Sequence, residues 1–177
     1  MNKRLKVLQI TAMYPNESDP AFGTFVKSQI DSLMEHADIE LLIVKGGNGV
    51  LPYLLSIPHM IKILYKGFDI IHVHFGSLAS LIKLVYHGKT PVITSYCGGD
   101  LYGKIKNNDR GIYFDSMIYR NLNKRLSGWD AWSITKSQNL ADEIEGFAKH
   151  ISIIPNGVNM TKFNVMDKEQ CKEKLGI

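Results

Sequence analysis

Ile39-Glu40-Leu41-Leu42-Ile43-Val44 and Asp69-Ile70-Ile71-His72-Val73 decide the fold. Both are short and almost continuously apolar, without the strict alternation of a strand that has one wet face. Runs of this kind suit strands covered on both sides, as in a parallel sheet. Outward from them, Lys6–Ile10 is rich in β-formers, and Pro91–Tyr96, Ala131–Ile134 and Ile151–Ile154 repeat the pattern. Helical stretches fill the gaps. Thr24–Glu35 carries Phe25, Ile30 and Leu33 on one face and starts at Gly23-Thr24, and Leu78–Tyr86 is stopped by Gly88. Tyr113–Leu126 has Lys124 and Arg125 in its last turn, where cations suit the helix dipole. Ser137 is placed to cap Gln138–Phe147. Strand and helix in alternation imply right-handed crossovers and a doubly wound α/β layer, with a mostly parallel sheet and helices on both faces. Such a sheet gathers its ligands at the carboxyl ends of its strands.

The chain has 177 residues, 45% of them hydrophobic and 21% charged, which suits one domain with its own core and excludes a disordered chain. A net charge of +4 is too mild to argue for nucleic acid. Cys97 and Cys171 match no metal spacing and read as free thiols of a reducing compartment. Basic residues precede a short apolar run at the amino terminus, but that run is too short for a signal peptide and reads as a first strand. No stretch approaches the roughly 18 apolar residues of a membrane span. These features point to a cytoplasmic protein, with a peripheral place at the inner face of the membrane left open.

Four strand ends carry polar or glycine-rich residues suited to a site. The loop Tyr14–Gly23 runs into a helix at Thr24, where unpaired amides can meet an anion or hydroxyl; an ordinary strand-to-helix connection is the plainer reading. The loop is neither G-x-G-x-x-G nor a P-loop, which argues against a nucleotide-dependent dehydrogenase or epimerase. His72 and His74 share one face of their strand, His74 nearer the carboxyl edge, and no third residue follows at a metal-binding spacing. In Ser95-Tyr96-Cys97-Gly98-Gly99-Asp100 the two glycines admit a ligand close to the backbone. Asp100 suits either sugar hydroxyls or the capping of a tight turn. Pro155-Asn156-Gly157 is a strong turn signal.

Between Glu40 and Asp100 the only carboxylate is Asp69, while Lys45, Lys62, Lys66, Lys83 and Lys89 fall in that stretch. Within it Leu51–Phe68 is apolar nearly all round, and Lys104, Lys106, Arg110, Arg120, Lys124 and Arg125 form a second basic group. Docking on anionic lipid and a buried helix with snorkelling lysines both fit.

Taken in order, these segments resemble the family-4-type glycosyltransferases. The resemblance rests on Gly23-Thr24-Phe25-Val26, on Asp69-x-x-His72-x-His74-Phe75-Gly76, on Ser95–Asp100, and on Ile154-Pro155-Asn156-Gly157-Val158-Asn159-x-x-x-Phe163. It covers essentially the whole chain. It departs from the family at Asn159, where an acid is common, and at Cys97-Gly98-Gly99-Asp100, where His-Gly-x-Asp is frequent. The resemblance implies a GT-B fold of two Rossmann-like halves. Residues 1–165 would be the N-terminal, acceptor-binding half, and 166–177 would lead into a C-terminal half that binds a nucleotide sugar. It further implies retaining transfer of a hexose to a surface-glycan or lipid-linked acceptor, without metal or cofactor in this half and with no catalytic residue assigned to it. The residues expected at the acceptor are Gly23, Thr24, His74, Gly98, Gly99 and Asp100, with Cys97, Asn156 and Gly157 lining the cleft. A stand-alone glycan- or nucleotide-binding module, or one subunit of a split transferase, is the alternative.

Overall fold

The computed structural model describes residues 3–44, 51–103, 114–160, 163 and 165–176. The six expected strands are all present: β1 (Lys6–Thr11), β2 (Asp38–Ile43), β3 (Ile70–His74), β4 (Val92–Ser95), β5 (Trp132–Thr135) and β6 (Ile151–Ile153). They form one all-parallel sheet in the order β2-β1-β3-β4-β5-β6. The helices are α1 (Thr24–Leu33), α2 (Leu51–Leu64), α3 (Gly76–Val85), α4 (Gly99–Tyr102), α5 (Phe114–Leu126), α6 (Gln138–Asp142) and α7 (Lys168–Leu175). The chain steps from β1 to β2 in one direction, and from β2 across to β3 and onward in the other. Right-handed crossovers therefore put α1 on one face and α2 and α3 on the other.

Register separates the two faces chemically. Leu8, Ile10, Leu42, Ile71, Val73 and Val92 point to the α2–α3 face, where they pack on Met60, Ile63, Leu64, Leu78, Ala79 and Ile82. On the opposite face Gln9 pairs in register with His72, His74 with Ser95, and Ser95 with Ile134. Val26 and Ile30 of α1, both 0% exposed, lie outside the first cluster, as the crossover rule requires.

Three helical expectations change in detail. Helix α3 begins at Gly76, two residues before the expected Leu78, because a distant carboxylate satisfies its first amide. The helix after Ser137 spans only Gln138–Asp142 and continues as turns to Gly146, whose φ of 83° ends it. Ser137 occupies the N-cap with extended backbone, but its side chain makes no capping hydrogen bond. Helix α7 is capped at both ends, by the Asp167 carboxylate and by Gly176 at φ 70°, and buries no residue. Tyr113, Lys45, Lys104, Lys106 and Arg110 lie outside the described residues.

A buried charge network ties α3 to β4 and β5. The Lys83 ammonium lies 2.6 Å from Asp130 Oδ1 and donates to the Leu126 carbonyl at 3.0 Å. Thr94, Tyr96 and Ser133 hydroxyls donate to the same carboxylate at 2.5, 2.9 and 3.0 Å. Burial pulls the Lys83 pKa down, and the adjacent carboxylate pulls it back up. Removing one partner strands the other charge in a dry interior. Asp130→Ala is expected to cost about 3–5 kcal/mol in urea unfolding. A cost below about 1 kcal/mol would show that the network is not held together by its charge.

Candidate functional site

Because all the strands are parallel, their carboxyl ends lie on one edge, and the order β2-β1-β3 makes the gap between β1 and β3 a topological switch point. Gly23 stands on the β1 side of that gap. It is the N-cap of α1, in the left-handed region at φ 70°. A Cβ on it would sit 2.4 Å from the Met13 carbonyl carbon, so only glycine lets the β1–α1 loop close on itself. Thr24 is exposed, and its amide is already turned back to the Ala21 carbonyl at 3.4 Å, which leaves its hydroxyl as the more accessible group.

Across the gap, β3 ends in a strained turn. Phe75 has φ 86° and ψ 124°, the one non-glycine positive φ among the described residues. Its amide donates to the Ser95 carbonyl at 2.9 Å. The next residue, Gly76, packs where a Cβ would come within 2.8 Å of the Tyr96 ring.

Asp100 joins this turn to the one after β4. Its carboxylate, 3% exposed, accepts from the amides of Gly76 at 2.7 Å, Gly98 at 2.8 Å and Cys97 at 3.2 Å. Its own carbonyl accepts from Asn123 Nδ2 of α5 at 2.8 Å. Burial raises the Asp100 pKa, and the amides of Gly76, Gly98 and Cys97 pull it back. The arrangement is the turn-capping role, extended to a second loop, and it leaves Asp100 little capacity for sugar hydroxyls. Gly98 needs its glycine for φ 122°, whereas a Cβ on Gly99 would meet open space.

The two histidines are likewise occupied. His72 Nε2 pairs with Ser95 Oγ at 2.8 Å, His74 Nε2 with Gln9 Oε1 at 2.9 Å, and the ring centroids are 4.4 Å apart. At 1% exposure His74 supports the floor of the edge instead of projecting from it. Burial lowers the pKa of His72 to about 4 and of His74 to about 2, so both rings are neutral. The half-buried Cys97 thiol is pushed up to about 12, by burial first and then by the Asp100 charge, which makes it a poor nucleophile. Asn156 and Gly157 are exposed beyond β6, at the far end of the sheet, and belong to the same edge without reaching the Asp100 cluster by any described hydrogen bond. Among the described residues no group of three or more His, Cys, Asp or Glu side chains is arranged to hold a metal.

Sequence reasoning quoted Gly76 only as part of a motif, without a site role, and missed Gln9 and Lys136. Strand alternation carried through the β1–β3–β4–β5 register puts Gln9 and Lys136 on the His72–His74 face, but that register is not readable before the strands are paired. Two open concavities lie at the opposite, amino-terminal edge, lined by Lys6, Glu40 and Phe68 in one and by Tyr86, Trp129 and Lys149 in the other; neither includes a candidate site residue.

Two solution measurements follow from this geometry. Asp100→Ala leaves three amides without an acceptor and is expected to cost about 3 kcal/mol or more in unfolding free energy, at about 1 kcal/mol or more per orphaned amide. Asp100→Asn, which keeps one acceptor oxygen, should cost less; equal losses would mean that the carboxyl oxygens are not the link. The histidines set a pH dependence. A base whose folded pKa lies below its unfolded value of about 6.5 costs stability as pH falls from that value toward the folded one, by about 1.4 kcal/mol per pH unit. Urea unfolding at pH 7.5 and 5 should show a steeper acid loss for the native chain than for His72→Gln; identical slopes would mean that His72 is solvated.

Among known proteins, a family description, Glycosyltransferase Family 4, matches residues 25–162, well over half of the chain. No curated protein matches it. The match spans β2 to β6 and takes in His74, Cys97, Gly98, Gly99, Asp100, Asn156 and Gly157. With the doubly wound parallel sheet, it establishes that the chain belongs to glycosyltransferase family 4.

Proposed function

We propose that this domain is the acceptor-binding half of a retaining glycosyltransferase, which moves a hexose from a nucleotide sugar to a surface-glycan or lipid-linked acceptor. On this reading residues 1–165 present the acceptor and 166–177 lead toward a donor-binding half, without which the domain does not turn over. The observation that carries the reading is the β2-β1-β3 switch point, flanked by Gly23 on one side and by the Asp100-clamped turns on the other. Parallel α/β sheets bind their ligands at such a point.

The roles divide by exposure. The Thr24 hydroxyl and the open space over Gly99 are where an acceptor approaches. Gly23, Gly98, His74 and Asp100 hold the loops that shape the approach, and Asn156 and Gly157 line the far side of the cleft. Cys97 fills the wall with a protonated thiol. Neither metal nor cofactor has a role in this half.

The same reading places the domain on the inner face of an anionic membrane. It is supported by Leu51, Leu54 and Leu55 of α2, which are 64%, 49% and 73% exposed, with Lys62 in the last turn of the same helix. No helix among the described residues is long and apolar enough to cross a membrane. The chain should sediment with anionic vesicles at low salt and be released at high salt, and Leu55→Glu should weaken the association; no binding at low salt ends the membrane part of the proposal.

For the site itself, Gly99→Ala adds one methyl group to open space. It should leave the unfolding midpoint unchanged and lower acceptor turnover of the full-length enzyme by about tenfold, equivalent to about 1.4 kcal/mol of transition-state binding. Unchanged turnover would remove the loop after β4 from the acceptor site.

A further inference from the structure

Four described lysines are not fully exposed: Lys83, Lys124, Lys136 and Lys172. Three of them have carboxylate partners, Lys83 in Asp130, Lys124 in Glu143 and Lys172 in Glu169. Lys136 has no carboxylate within ion-pair distance among the described residues, although it is half-buried at the carboxyl end of β5, on the edge that carries the candidate site. Its ammonium is only partly withdrawn from water, lacks an ion-pair partner among the described residues and is still open to an anion arriving from solvent.

We propose that Lys136 is the anion-recognising residue of this site, and that it takes an oxyanion, phosphate or carboxylate, carried by the acceptor between the ends of β4 and β5. The inference rests on the acceptor-half reading and adds a substrate class to it: an acidic acceptor, not a neutral one.

Placement carries the argument. Ser95 pairs in register with Ile134, and the Tyr96 amide donates to the Ile134 carbonyl at 2.8 Å, so the chain after Ile134 runs beside Tyr96 and Cys97. Alternation from Ile134 puts Lys136 on the face of Ser95, His72 and His74. The charge of Lys136 also bears on His72, His74 and Cys97, in keeping with that placement. None of them neutralises it, because both imidazoles and the thiol are uncharged in their buried settings. The backbone donors that would compete for an anion are already used: Asp100 occupies the amides of Gly76, Cys97 and Gly98. Among the described residues this edge thus carries one ammonium without an ion-pair partner while its nearby amides are taken, which is the complement of an oxyanion.

The test is a titration of this chain, followed by amide NMR, with inorganic phosphate, glucuronate, glucose and sodium chloride at matched ionic strength. Phosphate or glucuronate should shift the amides of Cys97, Lys136 and Ser137 saturably, while glucose and chloride should not. Stronger binding of phosphate indicates a phosphate-linked acceptor, and stronger binding of glucuronate an acidic sugar. Lys136→Met should weaken binding at least about tenfold without lowering the unfolding midpoint, and Lys136→Arg should retain it. The proposal is overturned if neither anion binds, if Lys136→Met binds as well as the native chain, or if Lys136→Met fails to fold, which would make the lysine structural. Transfer to a neutral acceptor by the full-length enzyme, with no anion binding here, would keep the acceptor-half reading and remove this inference alone.

Discussion

One buried carboxylate holds the working edge of this domain together. Asp100 accepts amides from the turn after β3 and from the turn after β4, and its own carbonyl is held by Asn123 of α5. Two loops converge on one side chain, and a helix holds the backbone of the same residue. The clamp explains how Phe75 is kept at φ 86°, a conformation that costs a bulky residue about 1–3 kcal/mol and persists only where the surroundings over-determine it. The Ser95 carbonyl holds the Phe75 amide, the Asp100 carboxylate holds the next one, and the Tyr96 ring leaves room at Gly76 for hydrogen alone.

The clamp works because the sheet beneath it has two chemically different faces. Leu, Ile and Val side chains on the α2–α3 face make a dry core. The opposite face carries Gln9, His72, His74 and Ser95 in a row across three strands, bonded to one another where the strands are central and most buried. A polar row of this kind contributes little to net stability, since each hydrogen bond replaces one to water. It does set which donors and acceptors remain at the carboxyl edge. Near β5 Asp130 neutralises the buried Lys83 of α3, while Lys136 at the other end of the strand has no carboxylate partner among the described residues.

The fold was largely legible in the sequence, and the site only in part. Each of the six strands announced itself as a short apolar run, the central ones because they are covered on both faces, while β2 and β6 at the sheet edges stay partly exposed. The ordered motifs from Gly23 to Phe163 carried the resemblance, and the match over residues 25–162 bears out the family. Contacts that join distant segments were not legible. The start of α3 at Gly76 depends on a carboxylate 24 residues away, which no local capping rule anticipates. Asp100 read equally well as a sugar ligand or as a cap until its partners were in place. His74 was marked by its position near a strand end, but burial and Gln9 decide its chemistry. Lys136 carried no motif at all, and only the pairing of β4 with β5 brings it beside Cys97.

The most direct test of this account is an NMR pH titration of the amide protons of Gly76, Cys97 and Gly98. If one carboxylate binds all three, their shifts should follow a single common midpoint above the usual aspartate value of 3.8, and the three amides should exchange with solvent slowly. Separate midpoints, or exchange as fast as in an open loop, would mean that Asp100 does not join the two turns and that the edge is assembled in another way.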